Sequence, residues 1–293
     1  MKAVVVLGAT SMLGREITRQ LSNKGVEIIS AGRHLDSDIV VNLGSSDAPT
    51  FRKSVQAEVL IHCASAFGGD DLDGVKQNLS VNMAGCAQVL DIVQHTGVRK
   101  IVYAGSLSSD QLVESGIPLG AYGFSKGEAE RILQWGMTKI GGDFCSLRLT
   151  QLWDTEGACC THQPWFGRIV AYASHGLTLK MPTADGPRNF MHVSDAAQLL
   201  IRAADSSLAG IRPVSFPVDT DLLEFARQAN VVFDRGGSIE IDAAKKPFRK
   251  MYFPKDESVF DLLGFHPRIS LEDGLTLIRN AGTAEAFGPL DVQ

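Results

Sequence analysis

Three residues of the sequence carry side chains that could move a proton together: Ser106, Tyr122 and Lys126. Tyr122 and Lys126 stand four positions apart in a segment with a helical pattern, so their side chains should share one helix face. An ammonium group beside a phenol favours the phenolate and lowers the phenol pKa from its usual value of about 10 towards neutral pH. Ser106 ends an apolar, strand-like run and would hydrogen-bond the reacting oxygen. The three residues together predict general acid–base chemistry that interconverts a ketone and an alcohol.

A glycine-containing turn follows the first apolar run of the chain. Gly8 would let the chain turn sharply, and Gly14 would let the following helix pack closely against the strand. The N-terminus of that helix offers free N–H groups and a positive dipole end to a pyrophosphate. A purely structural turn is the alternative. The predicted cofactor contacts here are Gly8, Thr10, Ser11, Met12, Leu13 and Gly14.

The end of the second predicted strand bears on which dinucleotide would bind. Gly32 stands where an NAD-selective fold usually places an acidic residue for the ribose 2′-hydroxyl, and Arg33 follows it. Gly32 leaves room without a repulsive charge, and a guanidinium can bind a 2′-phosphate in bidentate fashion. We therefore predict NADP, with NAD as the alternative and a merely solvated Arg33 as the competing interpretation. Further contacts are expected from Asn42 and Leu43 beside the adenine, and from Cys63, Ala64 and Ser65 beside the pyrophosphate and ribose.

Short β-branched runs and helical patterns alternate along the first half of the chain. Strands are predicted over 3–7, 27–31, 39–42, 59–62, 100–104 and 144–147, and helices over 13–24, 79–95, 121–139 and 195–204. Such alternation predicts βαβ units in an α/β fold with a parallel sheet. Beyond residue 150 prolines interrupt the pattern, and we expect a smaller substrate-binding lobe there. Ligands of such sheets bind beyond the carboxyl ends of the strands, where the residues singled out above fall.

The bulk composition excludes several classes of function. The 293 residues carry a formal net charge of −5, which gives no reason to expect nucleic acid or an anionic membrane as a partner. The first residues lead straight into a strand, and we expect a cytoplasmic protein. The five cysteines lack framework spacing, so reduced thiols are expected. Cys159-Cys160-Thr161-His162 lacks a second ligand pair, and we predict no metal site.

Several longer blocks give the chain a resemblance to a known family. They are Val59-Leu60-Ile61-His62-Cys63-Ala64, Asn82-Met83-Ala84-Gly85, Arg188-Asn189-Phe190-Met191-His192-Val193-Ser194-Asp195 and Leu262-Leu263-Gly264-Phe265-His266-Pro267. With the glycine turn and the Tyr122/Lys126 pair, these blocks resemble the extended short-chain dehydrogenases of the NAD-dependent epimerase/dehydratase family. The resemblance implies a doubly wound Rossmann domain with a small C-terminal substrate-binding lobe. It divides the chain into a cofactor domain (1–150 and 188–212) and a substrate lobe (151–187 and 213–293).

The resemblance also implies roles for individual residues. Ser106, Tyr122 and Lys126 take the catalytic positions, and Tyr122, Lys126 and Asn82 would also contact the cofactor. Residues expected beside the substrate are Ser106, Ser108, Gln151 and Arg188. Gln151 replaces an Asn of many relatives, whereas Arg188 matches an arginine that meets a diphosphate. His192 and Asp195 are expected to have structural roles, and a homodimer is usual in the family.

The residues after Ser106 narrow the reaction that the resemblance implies. Sugar dehydratases have two acids there, whereas this chain has Leu107 and Ser108, so dehydration is not expected. A cysteine at the place of Ser108 accompanies epimerisation at carbons 3 and 5, and Ser108 is a poor proton-transfer group at carbon. We predict an NADP-dependent reductase acting on a nucleotide-activated deoxysugar. An NAD-dependent nucleotide-sugar 4-epimerase and a non-catalytic NADP-sensing protein are the alternatives.

Overall fold

The computed structural model describes residues 1–110, 119–183, 186–245 and 252–290 of the chain. The chain divides into two compact units. Unit 1 consists of Met1–Leu149, Ala196–Val214 and Asp256–His266, and unit 2 consists of Thr150–Asp195, Ser215–Lys255 and Pro267–Gln293.

The strands in chain order are β1 (Ala3–Leu7), β2 (Glu27–Gly32), β3 (Ile39–Val40), β4 (Thr50–Phe51), β5 (Val59–His62), β6 (Lys100–Ser106), β7 (Asp143–Leu149), β8 (Gln151–Trp153), β9 (Thr178–Met181), β10 (Phe190–His192), β11 (Gly210–Val214) and β12 (Ser238–Ile241). The helices are α1 (Met12–Ser22), α2 (Leu72–Asn78), α3 (Cys86–Thr96), α4 (Ala121–Lys139), α5 (Pro164–Ser174), α6 (Val193–Ala204), α7 (Leu222–Phe233), α8 (Ser258–Leu263) and α9 (Leu271–Ala281). A π-helical segment, Leu79–Ala84, joins α2 to α3.

Unit 1 is built on one sheet of eight strands among the described residues, in the order β11-β7-β6-β5-β1-β2-β3-β4. Its pairs are parallel except for β3 with β4. The strand order reverses between β1 and β5, which is the switch point where doubly wound sheets bind ligands. The central strands are buried along nearly their whole length, as expected when helices cover both faces of a parallel sheet. The predicted doubly wound α/β sheet is therefore confirmed.

Unit 2 combines two short parallel strand pairs, β8 with β10 and β9 with β12, with helices α5, α7 and α9. Its core is aromatic: Trp153, Phe166 and Phe225 are fully buried, and the Phe166 and Phe225 ring centroids lie 4.7 Å apart. Gly274 of α9 lies directly against Trp153, because a Cβ added there would fall 1.5 Å from the Trp153 ring. The small residue thus lets a helix cross the face of an indole.

Some expected boundaries differ from the structure. The helix predicted over 79–95 is broken, because its first part has π-helical hydrogen bonding. Prolines in the second half did not prevent regular structure: Pro164 opens α5, where a missing N–H costs nothing, and Pro213 lies in an edge strand. Both residues have positions in which proline is tolerated.

The division into units also departs from the predicted domains. Residues 188–195 lie in unit 2 rather than with the cofactor domain. The Asn189 side chain binds the backbone of Phe216 there, because its Nδ2 donates to the Phe216 carbonyl and its Oδ1 accepts the Phe216 N–H. Residues 256–266 lie in unit 1, where Arg202 donates to the Leu263 carbonyl. Across the described part of the chain, no helix is both long and apolar enough to span a membrane.

Candidate active site

The carboxyl ends of two neighbouring strands bring the predicted proton-handling residues together in unit 1. Ser106 is the last residue of β6, and Ser65 follows the end of β5. The Tyr122 hydroxyl lies beside the side chains of both serines, whose hydroxyls act to lower its pKa. Tyr122 lies in the first turn of α4, which packs against β6 and β7. The Ser106–Tyr122 pairing expected from the sequence is thus present, and Ser65 joins it.

Lys126 lies one turn further along α4 and is 2% exposed. Its Nζ donates to the Ala104 carbonyl at 2.8 Å and lies 3.9 Å from the centre of the Tyr103 ring. Burial lowers the pKa of Lys126 to about 8, against the opposing effect of the Glu130 carboxylate. The lysine therefore carries a charge that becomes labile in mildly alkaline solution.

The phenol of Tyr122 does not have the lowered pKa that the sequence suggested. Burial raises its pKa to about 12, although the hydrogen bonds from Ser106 and Ser65 act in the opposite direction. The reason is geometric, because Lys126 directs its Nζ to the Ala104 carbonyl and the Tyr103 ring. In this arrangement Tyr122 is a proton donor held by two hydroxyls.

A buried charge network supports Lys126 from behind. Glu130, one helical turn beyond Lys126, is 0% exposed. Its carboxylate accepts hydrogen bonds from Ser146 Oγ at 2.6 Å, from Arg148 Nε at 3.0 and 3.2 Å, and from Arg148 Nη2 at 2.6 Å. Arg148 also donates to Asp110. Arg148, Glu130 and Asp110 thus form a paired cluster, and the Glu130 carboxylate also acts on Lys126, where it opposes the lowering of the lysine pKa by burial.

Asn82 fixes the loop that carries Ser65. Its Oδ1 accepts from the Ala66 N–H at 2.8 Å, and its Nδ2 donates to the Ala66 carbonyl and to Ser125 Oγ, each at 3.0 Å. Ser65 Oγ lies 3.2 Å from the same Oδ1. Asn82 therefore ties the loop after β5 to α4, a positioning role for a residue that was expected to contact the cofactor.

The glycine turn between β1 and α1 has the close packing that the sequence indicated. Gly8 has φ +87°, and a Cβ there would come 2.7 Å from the Ala64 nitrogen. A Cβ on Gly14 would come 2.1 Å from the Gly8 carbonyl oxygen. Ser11 caps α1, since its Oγ accepts the Gly14 N–H at 3.0 Å. Side chains at the glycines would fill this cradle, so the backbone geometry fits a dinucleotide phosphate at the helix N-terminus.

The remaining residues of the glycine turn frame the same helix start. Thr10 is exposed and its carbonyl accepts from Arg15 Nη1, whereas Leu13 is buried. Met12 is the first residue of α1. The turn thus presents backbone groups at the helix end, with the Arg15 guanidinium beside them.

The end of β2 leaves space where an acidic residue would stand in an NAD-selective fold. A Cβ on Gly32 would meet nothing nearer than Ser37 Oγ at 3.9 Å. Arg33 is exposed. The nearby carboxylate of Asp38 is engaged elsewhere, because it accepts from the Ser30 N–H and hydroxyl at 2.9 Å and pairs with Lys53. The end of β2 therefore combines open space at Gly32 with an exposed guanidinium at Arg33.

The other predicted cofactor contacts lie at the ends of β3 and β5. Asn42 binds the Gly44 N–H with its side chain and Gln88 Nε2 with its carbonyl, whereas Leu43 is buried. Cys63 directly follows β5, and burial raises the pKa of its thiol to about 12. The Cys63 thiol is therefore expected to stay protonated and to be a poor nucleophile.

Ser108 is exposed in the short 3₁₀ turn that follows β6. Its N–H donates to Ser106 Oγ at 3.1 Å, so the turn orients the Ser106 hydroxyl. Gly123 makes this approach possible, since a Cβ there would lie 2.1 Å from the Ser108 carbonyl oxygen. Ser108 thus positions Ser106 through its backbone.

The two other residues expected beside the substrate belong to unit 2. Gln151 begins β8 and pairs with Phe190 of β10. Its buried Oε1 accepts no hydrogen bond from the described residues. Arg188 is 4% exposed; its Nη1 donates to the Pro187 carbonyl, and its backbone pairs with Thr220. Gln151 therefore presents an acceptor that a ligand donor could satisfy.

His192 and Asp195 have contacts of the structural kind that the sequence suggested. His192 Nδ1 accepts from the Ser194 N–H, and its ring meets Trp153 edge-on at 4.8 Å. Asp195 Oδ2 accepts from the backbone N–H groups of Arg268 and Ile269. Both residues fasten neighbouring segments of unit 2.

Sequence reasoning missed Ser65 as a partner of Tyr122, and it missed Glu130 and Phe67 altogether. The Phe67 ring stacks on the Tyr122 ring with centroids 4.8 Å apart. Glu130 follows Lys126 by four positions, a spacing that could have indicated an ion pair. No sequence pattern indicated Phe67, because its contact depends on the path of the loop after β5.

Comparison with known proteins assigns the family. The sequence model described as the NAD dependent epimerase/dehydratase family matches residues 4–216, and the chain belongs to that family. Over 225 residues it is 24% identical to an uncharacterized protein of Mycobacterium tuberculosis, covering 75% of this chain and 22% of the relative. The chain thus spans less than a quarter of that relative.

Solved structures share the fold over nearly the whole chain. UDP-N-acetylglucosamine 4-epimerase from Bacillus cereus matches with TM-score 0.74 and 18% identity, covering 100% of this chain and 99% of that one. RMD from Pseudomonas aeruginosa, complexed with NADPH, matches with TM-score 0.77 and 18% identity, covering 97% and 100%. UDP-glucose 4-epimerase from Thermus thermophilus, complexed with NAD, matches with TM-score 0.74 and 17% identity, covering 97% and 99%. At these identities the likeness concerns the fold.

Proposed function

We propose that the protein is an NADP-dependent reductase that interconverts a ketone and an alcohol on a nucleotide-activated deoxysugar. The observation that carries the proposal is the meeting of Ser106, at the end of β6, with Tyr122 in the first turn of α4, and with Lys126 one turn further along that helix. When bound, the nicotinamide would supply the hydride. Tyr122 would deliver the proton to the carbonyl oxygen, and Ser106 would hold that oxygen.

The residues that would hold the cofactor are those of the glycine turn, the loop after β5 and Lys126. The open space at Gly32 and the exposed Arg33 favour NADP, because a guanidinium matches a 2′-phosphate. Burial of Lys126 excludes water from the site while the Glu130 network keeps its charge compensated.

The substrate class rests on unit 2 and on the neighbours. The unsatisfied Oε1 of Gln151 fits a sugar hydroxyl as donor. Arg188 offers a guanidinium of the kind that binds a diphosphate, and one of its nitrogens donates to the neighbouring Pro187 carbonyl. Two of the neighbouring structures are enzymes named for UDP sugars, which supports a nucleotide sugar. We also propose that the protein assembles into a homodimer.

A nucleotide-sugar 4-epimerase is the second candidate, favoured by the names of those neighbours. The same Ser106, Tyr122 and Lys126 would serve it, but the cofactor would be NAD and would stay bound. The two candidates differ in the observable reaction, since an epimerase consumes no added cofactor. The environment of Gly32 and Arg33 favours the reductase.

The test is oxidation of NADPH in the presence of a panel of nucleotide-linked keto sugars. Tyr122→Phe should lower turnover by about 10²–10⁴-fold, the usual contribution of a positioned acid. Tyr252→Phe is the control, because Tyr252 is 61% exposed and should have no effect. Turnover that survives Tyr122→Phe would refute the catalytic assignment. Epimer formation without NADPH oxidation would favour the second candidate.

Cofactor choice is tested separately by Gly32→Asp. A Cβ at this position would meet only Ser37 Oγ, at 3.9 Å, so the backbone should tolerate the substitution. It should repel a 2′-phosphate and accept a ribose hydroxyl, which would shift the ratio of kcat/KM from NADPH towards NADH by at least tenfold. Equal use of NADH and NADPH by the unaltered protein would contradict the role given to Arg33.

A further inference from the structure

Two cysteines stand next to each other in unit 2, in a short 3₁₀ turn that follows β8. The turn comprises Ala158–Thr161 and therefore contains both Cys159 and Cys160. The two residues are adjacent in the chain, both thiols are free, and each alters the pKa of the other. The described residues contain no group of three or more His, Cys, Asp or Glu side chains that could hold a metal ion. The pair is thus a dithiol.

The two thiols have unlike surroundings. Cys159 is 2% exposed, and its hydrogen bond to Cys160 and its burial raise its thiol pKa. Cys160 is half-buried, and the hydrogen bond from Cys159, together with the Gly288 N–H, lowers its thiol pKa. The Cys160 sulfur packs against Gly167, where a Cβ would come within 2.6 Å of it. Cys160 is therefore the less buried residue of the pair, and its pKa shifts in the opposite direction from that of Cys159.

The other three cysteines, all within the described residues, provide the contrast. Burial raises the pKa of Cys63 and Cys86 to about 12 each, and that of Cys145 to about 11. Buried thiols with raised pKa values are chemically inert, because the thiolate is the nucleophile. Reactivity is therefore expected at Cys160 first.

We propose that Cys159 and Cys160 are a site of reversible oxidation, in which a peroxide converts the dithiol into a disulfide between adjacent residues. The Cys160 thiolate attacks one peroxide oxygen, the O–O bond breaks, and Cys160 becomes a sulfenic acid while hydroxide leaves and takes up a proton as water. The Cys159 sulfur then displaces water from the sulfenic acid and forms the S–S bond. The two thiols lose two electrons and two protons, and the peroxide is reduced to two waters.

Such a disulfide is easily reduced again because it is strained. Adjacent Cα atoms are about 3.8 Å apart across a trans peptide, whereas disulfides usually join Cα atoms about 4.4–6.8 Å apart. Strain raises the reduction potential, so thiol reductants should restore the dithiol. The reversible character of the site follows from its position in the chain.

Oxidation must also alter the turn. The Asp154 carboxylate now accepts the N–H groups of Glu156, Ala158 and Cys159 at 2.9–3.2 Å. The Cys159 carbonyl accepts the N–H of Gln163, whose side chain donates to the Leu152 carbonyl of β8 at 2.6 Å. Closing the ring changes the backbone at both cysteines and disturbs these bonds. β8 begins with Gln151, so oxidation should weaken substrate binding; this consequence alone rests on the proposed function.

The first experiment needs no variant. Limiting N-ethylmaleimide followed by peptide mapping should label Cys160 ahead of Cys63, Cys86 and Cys145. In a separate sample that has not been alkylated, hydrogen peroxide should remove two alkylatable thiols from the native protein, both from the 159–160 peptide. Dithiothreitol should restore both. Loss of thiols elsewhere, loss that dithiothreitol does not reverse, or no loss at all would overturn the proposal.

Variants resolve the steps. Cys145→Ser, the buried control, should behave as the unaltered protein does. Cys159→Ser should stop at a sulfenic acid that dimedone traps, and Cys160→Ser should retain its Cys159 thiol under the same peroxide. Trapping at Cys159 in the Cys160→Ser protein would overturn the assigned order. A rise in KM for the keto sugar after oxidation tests the effect on β8 separately from the oxidation itself.

Discussion

The helix that carries Lys126 in unit 1 and the strand that carries Gln151 in unit 2 are anchored in different ways. Lys126 rests on a paired cluster in which Glu130 binds Arg148 and Ser146. Gln151 belongs to a three-residue strand whose other end, Trp153, is wedged among Phe166, His192 and Gly274. The helix in unit 1 is anchored by paired buried charges, and the strand in unit 2 is anchored by aromatic packing against Gly274.

The two regions should therefore tolerate different substitutions. A buried ion pair fails sharply when one partner is neutralised, because the other charge remains buried without compensation. A packed indole fails when volume is added, because the interior is close to full density. The two regions should therefore respond to opposite kinds of substitution.

The largest effect is expected from Glu130→Gln in unit 1. The carboxylate is 0% exposed and accepts from Arg148 and Ser146, so its neutralisation leaves the guanidinium poorly compensated. The free energy of unfolding should fall by about 3–5 kcal/mol, measured by urea denaturation. Glu128→Gln on the same helix removes an exposed pair with Arg131 and should cost less than about 1 kcal/mol.

A double variant makes this expectation sharper. Glu130→Gln combined with Arg148→Met removes both charges and should recover a large part of the lost stability. If the double variant is no more stable than Glu130→Gln alone, the network does not work through charge, and the contrast with unit 2 disappears.

The next effect is expected from Gly274→Ala in unit 2. The new Cβ would lie 1.5 Å from the rigid Trp153 ring, so the helix or the indole must move. Overpacking of this kind should lower the free energy of unfolding by about 1–3 kcal/mol despite the better helix propensity of alanine. Urea denaturation measures it.

Gly136→Ala in α4 of unit 1 is the matched control. The nearest atoms to the added Cβ would be both Cδ atoms and Cγ of Leu90, at 2.5, 2.6 and 3.1 Å, and this flexible side chain can shift, so the loss of stability should be smaller than at Gly274. Equal losses at Gly136 and Gly274 would mean that the rigid indole has no special part in anchoring β8.

The sequence predicted the unit 1 site far better than the unit 2 site, for a physical reason. Parallel strands end at one edge of a sheet, so Ser106 and the Tyr122/Lys126 pair could be brought together from strand order and helix spacing. Glu130 was missed because its partner Arg148 lies on β7, and pairing across elements leaves no local pattern.

In unit 2 the decisive contacts join residues that are far apart in sequence. Gly274 meets Trp153, and Asn189 meets Phe216, neither of which periodicity can reveal. Pro164 and Pro213 suggested interruption, although they occupy a helix start and an edge strand. The expected low pKa of Tyr122 failed for a related reason, since spacing on a helix does not determine where the Lys126 Nζ points.

The charge of Lys126 itself gives the third prediction, through pH. Its pKa in the folded protein is about 8, below the ordinary value of 10.5, so the unfolded chain holds the proton between these values and the folded chain does not. The free energy of unfolding should therefore rise between pH 8 and pH 10.5, by about 1.4 kcal/mol per pH unit, because of Lys126. Activity should fall over the same range as the ammonium is lost. Urea denaturation and kcat/KM are measured across the same range.

Lys126→Met isolates this group, because its unfolding should lack the alkaline rise shown by the unaltered protein. The effect has no counterpart in the aromatic anchor of unit 2, so Gly274→Ala should keep the rise. An alkaline rise that persists in Lys126→Met would assign it to other groups and remove the lysine from the comparison.

The smallest effect is expected at Phe67, where an aromatic contact like those of unit 2 occurs in unit 1. The Phe67 ring stacks on Tyr122, yet it is 50% exposed, so it orients the phenol more than it stabilises the fold. Phe67→Ala should lower kcat by about 2–10-fold, equivalent to the 0.5–1.5 kcal/mol typical of an aromatic pair, with almost no change in unfolding. Phe67→Tyr should restore kcat, and Phe124→Ala, at an exposed position of α4, should leave it unchanged. A kcat that ignores Phe67→Ala would mean that the two serines and the buried charges orient Tyr122 without help from packing.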